Sequence, residues 1–200
     1  MATPGARPST PGGLLLTPGA GADRTHHTLV AIEQAVAPLP CARVDFPYRK
    51  AGKRAPDRAP VAVASVVADA GELVAAAHIR PNRLVLGGRS FGGRMCSMAV
   101  AEGLPAAGLV LLSYPLHPPG HSEKLRTDHF VRLDLPCLFV SGQRDPFGSP
   151  DEFAAAVAAI PGPVTQVWLP GGHDPRNVDD AIADAVTSWL SAIRRSARIR

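Results

Sequence analysis

Arg83-Leu84-Val85-Leu86-Gly87-Gly88-Arg89-Ser90-Phe91-Gly92-Gly93-Arg94 is the stretch whose reading decides the fold. Leu84 to Leu86 is a short apolar run of the kind that forms a parallel strand buried on both faces. It runs into Gly88-x-Ser90-x-Gly92, and a segment of small and apolar residues from Met95 to Ala101 follows with the pattern of a buried helix. A serine on so sharp a strand-to-helix turn holds its Oγ clear of the sheet, and glycines on either side let strand and helix pass close together. A plain turn serine in a glycine-rich loop can show the same pentapeptide, so the flanking strand and helix carry the distinction.

Outward from this stretch, strand and helix patterns alternate six times. Strands are expected at Gly13–Leu16, Ala42–Phe46, Leu84–Leu86, Gly108–Leu112, Cys137–Val140 and Val164–Leu169. Between them, Leu29, Ile32 and Val36 have helical spacing in His27–Ala37, and Val61–Ile79 is an Ala/Val-rich helix with Pro60 at its first turn. Pro150–Ile160 is a further helix, and the last, Val178–Ile193, places Val178, Ile182, Val186, Trp189 and Ile193 on one stripe. The connection from Tyr114 to Pro136 is long and carries a short helix around Asp128–Leu133. This alternation demands a parallel sheet with helices on both faces and right-handed crossovers. Ligands of such sheets bind at the carboxyl ends of the strands. The loops there are residues 17–26, 47–60, 88–92, 114–128, 141–149 and 170–177.

The composition sets the bounds. A chain of 200 residues, 46% hydrophobic, fits one domain with a substantial core. Residues 1–11 are rich in Pro, Gly, Ser and Thr and read as a disordered tail, 12–195 as the single domain, and 196–200 as a basic tail. The net charge of +4 is concentrated in Arg49-Lys50-Ala51-Gly52-Lys53-Arg54 and in the C-terminal arginines. Without aromatic interleaving these clusters predict solvated loops, not nucleic-acid binding. The first of them follows the second strand, where it could also draw in anionic substrates. Cys41, Cys96 and Cys137 match no disulfide or metal framework, so no metal or cofactor is expected and a cytoplasmic location fits. Leu14-Leu15-Leu16 is too short for a signal-peptide core, and no apolar run approaches membrane-spanning length.

A serine is a poor nucleophile alone; it needs a base to take its proton and a carboxylate to orient that base. After a strand–turn–helix elbow of this type the acid and then the histidine follow in chain order. Asp145 lies past the fifth strand and His173 past the sixth, so Ser90, Asp145 and His173 are the candidate catalytic residues. Asp174 adjoins His173 and cannot readily orient its ring, Asp134 precedes its strand, and His117, His121 and His129 come before Asp145. His26 and His27 open a helix and read as solvated. The oxyanion of the tetrahedral intermediate needs amide donors. The first is the N–H of Phe91, and the second is placed at Ala20, in the small-residue loop after the first strand. Tyr114 and His117 follow the fourth strand and are expected to line the substrate pocket.

Leu16-Thr17-Pro18-Gly19-Ala20-Gly21, Phe46-Pro47-Tyr48-Arg49, Gly87 to Arg94, Tyr114 to Gly120 and Phe139 to Gly148 together resemble the dienelactone-hydrolase-related group of α/β-hydrolases. Within it, the chain is similar to the bacterial relatives of the animal testis-expressed and chromatin-complex α/β-hydrolase-like proteins. The resemblance covers nearly the whole chain from Gly12. It implies a three-layer α/β-hydrolase fold on a minimal, about six-stranded parallel sheet, with a Ser-Asp-His triad at a nucleophile elbow and a small-molecule ester as substrate. Dienelactone hydrolases proper use Cys as nucleophile where this chain has Ser90. Many relatives carry His-Gly where this chain has Pro18-Gly19, which bears on the oxyanion geometry. The animal relatives also suggest the alternative of a non-catalytic interaction protein on the same fold.

Overall fold

The computed structural model describes residues 9–198. The Leu-rich runs pair into one parallel sheet of six strands in the order β2-β1-β3-β4-β5-β6, where β1 is Gly13–Thr17, β2 Cys41–Arg43, β3 Leu84–Arg89, β4 Gly108–Leu112, β5 Cys137–Gly142 and β6 Val164–Leu169. Six helices connect or follow the strands: α1 His27–Val36, α2 Pro47–Lys50, α3 Ala59–Ala76, α4 Phe91–Ala101, α5 Pro150–Val157 and α6 Asp179–Arg198. Because β1 and β4 are entirely buried, their consecutive apolar residues supply both faces of the sheet. Leu15, Leu86, Leu109 and Phe139 pack beneath α3, α4 and α5, while Leu14, Val85, Val110 and Leu138 pack against α1 and α6. The result is the expected three-layer α/β architecture.

Chain order reverses direction across the sheet at β1, which lies between β2 and β3. Such a reversal leaves a crevice at the carboxyl ends of β1 and β3, the adjacent strands from which the chain leaves in opposite directions. Thr17 at the end of β1 is in register with Gly88 of β3, so the loop after β1 faces the turn after β3.

Several elements differ from their expected bounds for local reasons. β2 stops at Arg43, because Phe46 turns the chain into the short α2 with Pro47 in its first turn and the Asp45 carboxylate accepts from the Arg24 amide at 2.7 Å. α4 begins at Phe91, directly after the serine, and not at Met95. The connection after β4 is pinned by Phe130 and Leu133, both buried, on a single 3-10 turn over Phe130–Arg132. Of the presumed tails, residues 1–8 and 199–200 lie outside the described residues. Pro11 is buried, the Thr10 carbonyl accepts from Arg83 Nε at 3.0 Å, and α6 runs on to Arg198, past the boundary expected at 195. α3 is long and apolar enough by length and composition to cross a membrane, which the interruptions at Ser65, Asp69 and Glu72 conceal when the sequence is read as continuous runs. It packs on the sheet through Ala62, Val63, Val66 and Ala70.

Candidate active site

The turn after β3 is built by steric exclusion. Ser90 has φ 50° and ψ −114°, a left-sided conformation rare for a residue with a side chain. A Cβ on Gly88 would stand 2.7 Å from the backbone of Gly92 and Gly93, and one on Gly92 would stand 2.5 Å from the Pro18 carbonyl. Only glycine at both positions therefore lets β3, the start of α4 and the end of β1 converge. The Ser90 amide is held by the Leu112 carbonyl at 2.8 Å, and its carbonyl accepts from the Arg94 amide at 3.1 Å to begin α4.

Three side chains from three post-strand loops meet there. His173 Nε2 lies 2.8 Å from Ser90 Oγ, and its Nδ1 lies 3.0 and 2.9 Å from the two carboxylate oxygens of Asp145. An ionised carboxylate only accepts, so Nδ1 carries the proton and donates, which leaves Nε2 to accept from the serine hydroxyl. The Asp145 side chain is fully buried, and Oδ1 also accepts from the Phe147 amide at 2.9 Å. Phe147 stacks obliquely on the His173 ring, with centroids 4.1 Å apart. Backbone bonds lock the two loops together: Gln143 donates to Leu169 at 2.8 Å and Arg144 to Gly171 at 2.9 Å.

Arg89, inside the pentapeptide, makes a long-range link that the sequence did not disclose. Its Nη2 donates to the His173 carbonyl at 2.8 Å and to Asp174 Oδ1 at 2.7 Å, tying the loop after β6 to the turn that holds Ser90. Arg89→Ala should lower kcat by about 10- to 100-fold with a smaller change in KM, since displacing a reacting group by an ångström costs that much. Steady-state kinetics on a small ester check this; an unchanged kcat would show that the His173 loop is held without Arg89.

The donors expected for an oxyanion lie beside the same serine. Phe91 is the first residue of α4, where amides have no intrahelical acceptor, and its ring is turned away onto Phe46 with centroids 5.1 Å apart. Gly19 of the loop after β1 abuts the turn so closely that a Cβ there would be 3.6 Å from Ser90 Cβ. The Ala20 carbonyl accepts from the Tyr48 hydroxyl at 2.7 Å, fixing that loop.

Other expectations are corrected. Tyr114 does not line an open pocket: it is fully buried among Phe130 and Phe139, with its hydroxyl donating to the Arg126 carbonyl at 3.0 Å. His117 is also buried, with Nδ1 2.8 Å from the Pro118 carbonyl; its Nε2 lies 3.2 Å from Glu152 Oε1 but makes no hydrogen bond of acceptable geometry among the described residues. His26 is not solvated; its side chain is 10% exposed and stands 3.6 Å from Asp174. His26, His27 and Asp174 are the one group among the described residues whose ligand atoms could share a metal ion, all within 4.8 Å of one another. Arg89 already engages Asp174, and its charge opposes a cation at that point. Arg49 and Lys50 of the basic cluster are paired at 3.5 Å with Asp23 and Asp69, which halves the charge expected to face a substrate.

His129, set aside on chain order, is buried and bonded to the Ser97 hydroxyl at 2.8 Å. Burial first, then the charges of Arg94 and Arg132, hold its pKa down to about 4, with Asp128 opposing weakly. A histidine neutral in the folded state but free to protonate when unfolded destabilises the fold as pH drops below about 6.5, and the loss is complete below about 4. At 1.4 kcal/mol per pH unit, and allowing for partial solvent access, the loss is about 2 kcal/mol. Urea denaturation between pH 7 and 4 should show it, and His129→Gln should flatten the slope; an equal slope in the variant would assign the loss elsewhere.

A depression lined by Pro11, Gly12, Pro38, Leu190 and Arg194 lies at the amino ends of the strands, at the opposite edge of the sheet from Ser90. Among solved structures, Est1E from Butyrivibrio proteoclasticus is similar at TM-score 0.73 and 14% identity, over 92% of this chain and 89% of that one. A dienelactone hydrolase from Anabaena variabilis is similar at TM-score 0.71 and 16% identity, over 92% and 88%. A carboxylesterase from Mesorhizobium loti is similar at TM-score 0.62 and 20% identity, over 92% and 89%. These likenesses establish the shared fold. With residues 11–197 matching the family model for the alpha/beta hydrolase domain, and with the parallel sheet to accompany that match, the chain belongs to the alpha/beta hydrolase domain family.

Proposed function

We propose that the protein is a serine hydrolase that cleaves a small acyl ester. The observation that carries this reading is the hydrogen-bonded chain from Ser90 Oγ through His173 to Asp145, at 2.8 and 2.9 Å. In the first half-reaction Ser90 Oγ attacks the ester carbonyl while His173 Nε2 takes its proton, and the buried Asp145 stabilises the imidazolium without itself becoming protonated. The amides of Phe91 and Ala20 donate to the developing oxyanion. His173 then gives its proton to the leaving alkoxide as the carbon–oxygen bond breaks, leaving an acyl-Ser90. A water molecule, deprotonated by the same imidazole, attacks that acyl group and regenerates the serine. Besides the ester and one water, these steps use side chains and backbone amides of this chain. The printed names of the esterase and dienelactone hydrolase neighbours are in keeping with an ester substrate. Three free thiols are in keeping with a reducing, cytoplasmic setting.

A fluorophosphonate probe tests the reading. Intact-mass and peptide mass spectrometry should find a single adduct, on Ser90, and prior unfolding should abolish it. A folded protein that takes no adduct and turns over no ester would leave the alternative, an interaction protein on a hydrolase scaffold.

A further inference from the structure

α3 has two faces, and the packing of the domain accounts for one of them. Ala62, Val63, Val66 and Ala70 are buried. Asp69, beside them, accepts from the Ser65 hydroxyl at 3.2 Å and pairs with Lys50 at 3.5 Å. The outward face carries Val61, Ala64, Val67, Ala68, Gly71 and Ala75, all exposed, and of the nine exposed residues of the helix only Glu72 is polar. The outward face of a surface helix is ordinarily polar. Val61 and Val67, 50% and 44% exposed, are two of the four large hydrophobic residues that stand exposed among the described residues. An apolar patch concentrated on one element marks an interaction surface.

Gly71 points the same way. A glycine inside a helix destabilises it relative to alanine. A Cβ at Gly71 would meet nothing within 4 Å, so no neighbour in this chain requires the glycine. Close approach by a backbone from outside the chain does. Charges frame the face as well. Arg58 is the N-cap of α3, and Glu72 lies 14 positions on (72 minus 58). Both are exposed, and among the described residues neither enters an ion pair. At about 100° per residue the two fall on one flank of the apolar face, about 21 Å apart along the axis. Arg58 stands at the amino end, where its charge opposes the dipole of its own helix.

We propose that this face of α3 packs against the same face of a second copy of the chain, the two helices running antiparallel about a two-fold axis midway between Ala64 and Ala68. That register sets Ala64 against Ala68 of the second copy and Val61 over its Gly71, so side chains from one helix enter gaps in the other. A two-fold axis across antiparallel helices keeps like flanks together, so Arg58 of each copy lies beside Glu72 of the other. Arg58 also comes to the carboxyl end of the facing helix, where the dipole favours its charge. The charges are complementary only in the antiparallel arrangement; parallel helices would set arginine beside arginine. One 18-residue helix from each copy makes a contact at the low end of specific interfaces, about 1,000 Å² in all. The dissociation constant should therefore be on the order of 10 μM. None of this depends on the hydrolase reading.

Sedimentation equilibrium of the full chain from about 1 to 200 μM should show the mass rising from 20.9 kDa toward twice that value. Ala64→Glu puts a charge at the centre of the contact on an exposed, helix-compatible position; it should weaken the dimer at least tenfold or so while leaving circular dichroism unchanged. Arg58→Glu and Glu72→Arg should each weaken it about 3- to 10-fold, and the double reversal should return the dissociation constant to within about twofold of the parent. That recovery separates a second copy from any other partner and does not rely on the Ala64 variant folding. A parent that stays monomeric throughout, a dimer indifferent to Ala64→Glu, or a double reversal no tighter than its single components would overturn the proposal. A monomer that instead sediments with vesicles of phosphatidylglycerol and phosphatidylcholine would also overturn it and assign the face to a lipid surface.

Discussion

Ser90→Ala is expected to lower kcat on a small acyl ester by about 10⁴- to 10⁶-fold, leaving only what positioning and the oxyanion donors supply. The reason lies in how the site is assembled. Among the described residues, Ser90 Oγ is the one hydroxyl within hydrogen-bond reach of His173 Nε2. Alanine keeps the Cβ that sits in the turn and removes only the oxygen, so the backbone strain at φ 50° is unchanged. The melting temperature should accordingly move by no more than about 2 °C, since 1 kcal/mol is worth about 2–4 °C in a domain of this size. Turnover and differential scanning calorimetry on the same preparation check both halves. Activity above about one per cent of the parent would mean that another group is the nucleophile.

Asp145→Asn should cost about 10³- to 10⁴-fold in kcat while preserving the shape of the site. The carboxylate accepts from His173 Nδ1 and from the Phe147 amide. An amide offers only one accepting oxygen, and the Phe147 N–H already claims the Oδ1 position. The amide nitrogen then faces Nδ1, which must accept, and the ring proton moves to Nε2. In that tautomer Nε2 points a hydrogen at Ser90 Oγ and cannot act as its base. Nitrogen-15 NMR of the His173 ring should report the exchange of tautomers alongside the kinetic loss. A kcat within tenfold of the parent would contradict the orienting role given to Asp145.

The two variants bear on parts of the protein that were legible to different degrees. The parallel sheet could be read because its central strands are encoded by consecutive apolar residues, as in Gly108–Leu112, whose bounds agree with the folded strand. The turn at Ser90 could be read because strand, glycine–serine–glycine turn and helix are continuous in the chain, although Gly92 is also required by the distant Pro18 carbonyl. Asp145 and His173 could be placed because a doubly covered parallel sheet sends every post-strand loop to one edge, so position in the chain predicts position in space.

The sequence by itself therefore determined the layer architecture, the edge of the sheet at which the three candidate residues gather and their order in the chain, since these follow from local sterics and hydrophobic periodicity. Only the tertiary structure decided what depends on contacts between distant residues. Arg89 reaches a loop 84 residues away, a link no local pattern encodes. Tyr114 follows its strand as a pocket residue would, yet the rings of Phe130 and Phe139 draw it into the core. Ser97 and His129 are 32 positions apart (129 minus 97), and only the fold brings their side chains within a hydrogen bond. The physical reason is common to all three: burial and hydrogen-bond satisfaction are settled by whichever groups the fold brings into contact, and that choice is made after the strands have paired.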